Sequence, residues 1–241
     1  MKNHLTSILL LSIINILSAC EKDLAPDCPN TSHMHAIDLG LSVRWACCNV
    51  GASAPEDFGS YFAWGETITK EIYNWDTYKY AQDSHDKLTK YCTDNRFGET
   101  DHQTTLVASD DAARAQLGNN WRMPTFNEMK ELVERCTWKE TTLNGVKGYI
   151  VKGPNKNQIF IPFAEYIYGK DVVRKDLSCY WTNEVGTPCH TAQFLYRGKG
   201  AYYPENTDQE ESPFLFLKGK EIKEISTINR SIGLPIRAVT K

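Results

Sequence analysis

The sequence predicts an α+β domain, and three observations lead to that prediction. The chain contains one strongly signalled helix, one β-hairpin, and a series of separate strands towards its C-terminus. Helices and antiparallel strands that occupy different parts of the chain are typical of the α+β class. With 241 residues, of which 41% are hydrophobic and 11% aromatic, the chain is long enough for one large domain or two small ones.

The strongest helix signal lies between residues 125 and 136. Thr125 stands at the N-cap position with Glu128 three residues later, which is the capping-box pattern, and Pro124 disfavours an earlier start. Apolar residues then recur on one helical face: Phe126, Met129, Leu132, Val133 and Cys136. We therefore predict an amphipathic helix of about three turns, preceded by a buried approach segment at residues 121–123.

A shorter helix is predicted over residues 109–117. Ser109 serves as its N-cap, and Asp110 and Asp111 fall in its first turn, where carboxylates complement the helix dipole. Metal binding by the two aspartates is the weaker alternative.

The strands follow from alternating apolar residues and from turn residues between them. The clearest pair is a hairpin, residues 148–152 and 158–161, around the five-residue turn at residues 153–157. Further strands are predicted near residues 36–47, 58–65, 179–182, 192–196, 213–217 and 234–239. Residues 66–101 lack periodicity but contain several aromatic residues, which predicts a long ordered loop.

The N-terminus has the pattern of an export signal. Lys2 precedes an apolar run over residues 5–17, and the run ends in Leu17-Ser18-Ala19-Cys20. Small residues directly before a cysteine resemble the lipobox of bacterial lipoproteins, in which the signal is removed and the cysteine is acylated. A plain secretory signal is the alternative, and a transmembrane anchor fits less well because the run is short and contains Asn15.

This reading divides the chain into three parts: a signal peptide at residues 1–19, a polar tether at residues 20–35 and a domain at residues 36–241. We expect the membrane to be a partner through lipidated Cys20, and we expect the protein at the outer membrane or cell surface of a Gram-negative bacterium. The formal net charge is −3, and no basic run exceeds two residues. Nucleic acid is therefore not an expected partner.

The eight cysteines fit an exported chain. Seven remain if Cys20 is lipidated, so at least one is unpaired or pairs between chains. We predict a first disulfide between Cys92 and Cys136 and a second between Cys179 and Cys189. Small buried thiols are the alternative for all of them. The adjacent Cys47 and Cys48 are expected to point to opposite faces of a strand.

No reactive centre is evident. The chain has no Cys-x2-Cys pair, P-loop or serine-hydrolase signature. His85, His102 and His190 are far apart in the sequence and lie among polar residues, which is typical of surface histidines. We therefore predict a non-enzyme without a catalytic residue, metal or other cofactor.

The aromatic residues of the loops are the candidates for binding. Trp75, Tyr78, Tyr202 and Tyr203 lie in loop-like stretches, where rings stack on sugars or pack on a protein partner. The alternative is that these rings complete the core of a loop-rich domain. Trp64 and Trp121 are expected in the core.

Several segments together resemble a known family. They are Asp38–Ala52, Pro55–Glu66, Leu88–Cys92, Asp110–Ala113, Trp121–Thr125, Cys136–Trp138, Tyr180–Trp181 and Gly233–Val239. This series resembles the Fibrobacter succinogenes major paralogous domain family of exported lipoproteins. That family is similar to the C-terminal domain of a Legionella collagen-like adhesin and to the formylglycine-generating enzymes. The resemblance spans residues 36–241 and implies a C-type-lectin-like fold with two helices, a twisted antiparallel sheet, adjacent termini and long loops.

The chain departs from the pattern in places. Gly118-Asn119-Asn120 stands where the family tends to have Gly-Gly-Ser, and Thr182-Asn183-Glu184 stands where serines are frequent. The triplets with which lectins hold sugar through calcium are absent, since Pro204-Glu205-Asn206 has the wrong order. The resemblance implies a lipid-anchored module that binds glycan or protein. The alternative is a structural or accessory subunit of an adhesin or fimbrial assembly, and an enzyme of the formylglycine-generating type fits less well.

Overall fold

The computed structural model describes residues 34–118, 120–173, 176–199 and 221–241. Within these ranges the chain is mostly sheet, with two α-helices and four small antiparallel sheets. This arrangement confirms the predicted α+β class. Neither helix combines the length and the apolar content that crossing a membrane requires.

The regular elements are short and are separated by long irregular segments. The helices are α1 (Ala112–Leu117) and α2 (Phe126–Arg135). The strands are β1 (Ala36–Ile37), β2 (Arg44–Ala46), β3 (Thr137–Leu143), β4 (Val146–Lys152), β5 (Gln158–Pro162), β6 (Tyr166–Tyr168), β7 (Asp171–Val173), β8 (Leu177–Val185), β9 (Thr191–Lys199), β10 (Glu221–Asn229) and β11 (Val239–Thr240).

The first sheet joins the two ends of the described chain. Its strand order is β1-β2-β11, so that Trp45 of β2 faces Ile37 on one side and Val239 on the other. The C-terminal strand also meets the segment before α2, since the backbone of Arg122 exchanges hydrogen bonds of 3.1 and 2.9 Å with Val239. Residues distant in sequence therefore close the domain.

Of the other sheets, β3-β4-β5 and β8-β9-β10 are three-stranded meanders, and β6-β7 is a two-stranded hairpin. The predicted hairpin is confirmed as β4 and β5, and the N–H of Gly153 donates to the carbonyl of Asn157 across its turn at 2.9 Å. The sequence analysis did not identify β3, which pairs with β4 along its whole length. It also did not identify β10, which extends β8 and β9 to a three-stranded sheet. The predicted strand at residues 213–217 lies outside the described residues.

The helix α2 follows the sequence prediction closely. The Thr125 side chain accepts from the N–H of Glu128, and the Glu128 carboxylate accepts from the N–H of Thr125, which completes the capping box. Arg122 donates to the same carboxylate through both terminal nitrogens, at 2.7 and 2.5 Å. Of the approach segment only Met123 is fully buried, whereas Trp121 and Arg122 are half-buried.

Three predicted details are wrong. Helix α1 begins two residues later than expected, because Asp111 and not Ser109 accepts from the helical N–H of Arg114 and is the N-cap. Residues 58–65 form no strand, since only Phe62 pairs there, with Leu234. Cys47 and Cys48 do not point to opposite faces: both are buried, with Sγ atoms 3.4 Å apart, because β2 ends at Ala46 and the chain then turns.

The core consists of two clusters of buried side chains. One gathers the long loop, the region of α1 and the sheet of β8 to β10, and the other lies between α2, β2 and the sheet of β3 to β5. Trp45, Trp64 and Trp181 are fully buried. Arg197, Arg230 and Arg237 are also buried, and these arginines are unusual in a core because charged side chains are rarely buried completely.

Candidate functional site

Four half-buried rings from separate segments meet at one place, which we call the aromatic–histidine cluster: Trp75, His85, Phe97 and His190. His190 is at the centre, with its ring centroid 4.6 Å from that of Phe97, 5.2 Å from that of His85 and 6.5 Å from that of Trp75. The centroids of Trp75 and His85 are 6.2 Å apart. Such distances are those of packed aromatic rings.

Trp75 is held by a single turn of 3-10 helix, Trp75–Thr77. The side chain of Asn74 caps this turn by accepting from the N–H of Thr77. Beneath Trp75 lies Tyr78, edge-on at 5.5 Å, whose hydroxyl donates to the carbonyl of Trp64 at 2.7 Å. The turn thus presents Trp75 outwards while Tyr78 anchors it to the core.

His85 and Phe97 are brought together by the folding of the long loop on itself. His85 lies in a tight turn closed by the N–H of Gln82, which donates to the carbonyl of Lys87 at 3.0 Å. Phe97 ends a second 3-10 turn, and the N–H of Leu88 donates to its carbonyl at 2.8 Å. The predicted ordered loop is therefore confirmed, and local turns contribute to its order.

His190 comes from the turn between β8 and β9. The N–H of Gly186 donates to the carbonyl of Thr191 at 2.9 Å, and the N–H of Thr191 donates to that of Pro188 at 3.0 Å. A side chain at position 186 would meet the hydroxyl of Thr191 at 2.2 Å, so this close approach requires glycine. The carbonyl of His190 accepts from the N–H of Arg230 at 3.2 Å, which ties the turn to the end of β10.

The electrostatics of the cluster keep its centre neutral. Burial, together with the neighbouring His85 and Arg230, lowers the pKa of His190 to about 4. At the rim, Arg96 lies over the Phe97 ring and donates to both carboxylate oxygens of Asp94. That contact holds the pKa of Asp94 at about 2. The cluster therefore offers apolar faces next to one exposed guanidinium and one ionised carboxylate.

The base of the cluster contains two thiols and one guanidinium. The Sγ atoms of Cys92 and Cys189 are 3.4 Å apart, and both residues are buried. The observed neighbours differ from both predicted disulfide pairs: Cys92 faces Cys189, Cys136 packs in the other core cluster, and Cys179 is buried in β8. Sequence spacing misled here because the long loop and the β8–β9 turn meet only in the folded chain.

A buried carboxylate lies next to this region. Asp110, 5% exposed, accepts from Lys90 at 2.6 Å and from the hydroxyl of Tyr91 at 2.6 Å. Burial alone would raise the pKa of Asp110, but the hydrogen bonds from Lys90, Tyr91 and Tyr80 hold it below its ordinary value. All these groups bind one another, so we assign this network to the support of the loop.

The predicted ligand-binding residues have different outcomes. Trp75 is part of the cluster. Tyr78 is 2% exposed, so its prediction as a surface group is wrong. Tyr202, Tyr203 and Cys20 lie outside the described residues. Trp64 is fully buried, as predicted for a core residue, whereas Trp121 is half-buried.

Three members of the cluster are not among the predicted binding residues. The sequence pattern predicts surface positions for His85 and His190, and it assigns no binding role to Phe97. No local signal connects them, since they lie in a loop and in a strand turn far apart in the sequence. In the folded chain, the pairing of Leu88 with Gly98 and the hydrogen bond from the N–H of Arg230 to the carbonyl of His190 help to bring them together.

In the part of the chain that the structure describes, no group of three or more His, Cys, Asp or Glu side chains is arranged to hold a metal ion. Comparisons with protein-family models, with curated proteins and with solved structures found no match to this chain.

We expect His190 to make the stability of the domain fall in mild acid. Its pKa in the folded chain, about 4, lies below the ordinary value of 6.5, so the unfolded chain takes up a proton first as the pH falls through 6.5. Stability is therefore lost between pH 6.5 and 4, by about 1 kcal/mol between pH 7 and pH 5 once solvent screening is allowed for. Urea unfolding at a series of pH values measures this.

The variant His190→Gln should show a flatter dependence over the same range. His102→Asn is the matched control, because His102 is exposed and its φ of 56° suits asparagine. If the free energy of unfolding of His190→Gln depended on pH as steeply as that of the wild-type chain, another group would be responsible for the loss of stability in acid.

Proposed function

We propose that this chain is an exported, lipid-anchored and non-enzymatic binding module that recognises a glycan or protein ligand at the cell surface. One observation carries the proposal: the aromatic–histidine cluster gathers four half-buried rings, three from the long loop and one from the β8–β9 turn, at one place. Their partial exposure distinguishes these rings from fully buried core rings such as Trp64 and Trp181. A partly exposed set of rings offers a ready-made apolar contact surface.

The rim of the cluster suits a polar ligand with apolar faces. Sugar rings stack their C–H faces on aromatic rings, and their hydroxyls bind planar charged side chains. The Arg96 side chain, 76% exposed, and the Asp94 carboxylate next to it are such groups. The same combination of aromatic residues and arginine is enriched in protein interfaces.

We propose further that the fold is C-type-lectin-like and that the chain is related to the Fibrobacter succinogenes major paralogous domain family. The supporting features are the two helices, the antiparallel sheets and the long ordered loop. In addition, the first and last strands, β1 and β11, belong to one sheet, in which both pair with β2. Trp121–Thr125, a segment shared with that family, caps α2 and pairs with β11. These features agree with the resemblance that the sequence carries.

A structural or accessory subunit of a surface adhesin or fimbrial assembly is the second candidate. Tyr168 and Val172, which are exposed on the paired strands β6 and β7, favour it, because an assembly would cover them. An enzyme of the formylglycine-generating type fits least well. Cys179 and Cys189 are both buried, whereas a reactive thiol needs access to its substrate.

Binding of the purified full-length chain to a glycan array and a surface-protein array tests the proposal. We expect binding to at least one probe class, reduced about 10-fold or more by Trp75→Ala, since a ring at the centre of a contact contributes about 1–3 kcal/mol. Ile68→Ala is the control, because Ile68 is 76% exposed and lies outside the cluster. Equal loss of affinity in Trp75→Ala and Ile68→Ala, or unchanged affinity in Trp75→Ala, would contradict this site.

The anchor is tested by metabolic labelling with palmitate. Export with lipidation at Cys20 predicts label in the wild-type chain and none in Cys20→Ala. Label that persists in Cys20→Ala would contradict the lipoprotein assignment.

A further inference from the structure

We propose that Cys92 and Cys189 form a disulfide that fastens the long loop to the β8–β9 turn directly beneath the aromatic–histidine cluster. The two Sγ atoms are 3.4 Å apart, which is van der Waals contact, and a disulfide bond needs about 2.0 Å. Rotation of one or both cysteine side chains would have to close that difference. The inference concerns the thiols alone and does not depend on the ligand proposed above.

The two cysteines belong to segments that otherwise meet through few backbone contacts. Cys92 follows Tyr91, whose φ of 57° is in the left-handed region and whose carbonyl accepts from buried Arg230 at 2.9 Å. Cys189 precedes His190, whose carbonyl accepts from the N–H of the same arginine. Arg230 thus already holds both partners of the pair in register, and a covalent bond would add to a preformed contact.

The second close pair of thiols is a poorer candidate. Cys47 and Cys48 also have Sγ atoms 3.4 Å apart, but they are adjacent in sequence. Consecutive Cα atoms are about 3.8 Å apart across a trans peptide, less than the 4.4–6.8 Å that disulfides usually span. A bond there would distort its own peptide, whereas one between Cys92 and Cys189 would close a long loop of chain.

Burial decides when the bond can form. Cys92 and Cys189 are 0% and 1% exposed, and burial raises the pKa of the Cys92 thiol to about 11. Thiolate is the attacking species in disulfide exchange, so the folded, reduced chain should react slowly. We therefore expect oxidation during folding, as in the disulfide-forming compartments that an exported chain enters.

The reaction is an ordinary thiol–disulfide exchange with a disulfide oxidant, for which oxidised glutathione serves in vitro. One cysteine thiolate attacks the oxidant, breaks its S–S bond and releases one reduced glutathione, which leaves a mixed disulfide on the protein. The second thiolate attacks the protein sulfur of that mixed disulfide and releases the second glutathione. In total the chain loses two protons and two electrons, which the two released glutathione molecules carry, and the protein mass falls by about 2 Da.

The test uses the purified full-length chain, unfolded and reduced, then refolded with a mixture of reduced and oxidised glutathione. Free thiols are alkylated and the chain is digested with trypsin without reduction. The expected product is a linkage between the peptides 91–96 and 176–197, which fragment sequencing assigns to Cys189 and not to Cys179. The oxidised chain should melt about 5–10 °C above the reduced chain.

Variants separate the pair from its neighbours. The linkage should be lost in Cys92→Ser and in Cys189→Ser and retained in Cys136→Ser, whose thiol lies in the other core cluster. If the serine variants do not fold, the peptide linkage and the melting temperature of the oxidised and reduced wild-type chain still test the proposal. Alkylation of both Cys92 and Cys189 after oxidative refolding, or a linkage of Cys92 to another cysteine, would overturn the proposal. If a chain with the Cys92–Cys189 disulfide failed to bind any ligand, the disulfide proposal would still stand and only the proposed function would be contradicted.

Discussion

Replacement of Arg230 by methionine should lower the free energy of unfolding by about 2–4 kcal/mol. The guanidinium is fully buried and donates to the carbonyls of Tyr91 and Lys90, at 2.9 and 3.2 Å. It also lies 5.5 Å from the centres of the Trp64 and Tyr78 rings. Methionine has a similar volume but leaves both carbonyls without a donor, and each such group costs about 1–3 kcal/mol.

Urea unfolding of the purified chain measures this effect. The matched control is Arg135→Met, because Arg135 is largely exposed at the end of α2 and forms an ion pair with Glu131 on the surface. Exposed pairs contribute at most about 1 kcal/mol, and we expect a change of about 0.5 kcal/mol or less. A similar loss in both variants would mean that Arg230 is not specifically required. Hydrogen exchange should locate the loss in the long loop, whose backbone Arg230 holds.

We expect the second large effect for Glu128→Ala, which should lower the free energy of unfolding by about 2–3 kcal/mol. The Glu128 carboxylate accepts from the N–H of Thr125 at 2.9 Å and from both terminal nitrogens of Arg122. Its removal breaks the capping box and leaves the guanidinium of a half-buried arginine without its partner. The capping part contributes about 1 kcal/mol and the charged hydrogen bonds the remainder.

A double-mutant cycle with Arg122→Ala separates these parts. If Arg122 and Glu128 stabilise each other, the free energy of unfolding should fall less in the double variant than the sum of the two single falls. The difference should be about 1 kcal/mol or more. Glu134→Ala is the control on the same helix, since its carboxylate is 61% exposed and 3.8 Å from Lys130. Additive single losses would show that Arg122 and Glu128 act independently.

The pH dependence offers an independent check of Glu128. Burial alone would raise its pKa, but the hydrogen bonds from Arg122 and Thr125 hold it below its ordinary value. Its contribution is therefore present above the unfolded-state pKa and is lost as the pH falls through the lower folded-state pKa. The Glu128→Ala variant should lose less stability between pH 5 and pH 3 than the wild-type chain does.

Local features of the fold were predictable from sequence because their physical causes are local. The capping box of α2 needs only Thr125 and Glu128 at the right spacing, and the β4–β5 hairpin needs only two apolar runs around a turn. Both were predicted and both are present. The N-cap of α1 was missed by two residues because Ser109 and Asp111 are both good caps, and the choice depends on Asp111 also accepting from the N–H of Met123 at 2.9 Å.

The candidate site was predictable only in part. The interpretation of Trp75 as a loop aromatic was sufficient to propose it for binding. Tyr78, three residues later, had the same local pattern and is a core residue. The difference lies in the contact of its hydroxyl with the carbonyl of Trp64, which no spacing rule contains.

The sequence by itself determined the α+β class, the capped helix, the hairpin and the order of the long loop, since each follows from propensities and patterns within a few residues. The tertiary structure alone decided which cysteines face each other, which rings remain at the surface and where the two histidines meet. Those outcomes depend on contacts between residues far apart along the chain, and Arg230, buried at the end of β10, makes several of them at once. A pattern within one segment carries no information about the segment that packs on it.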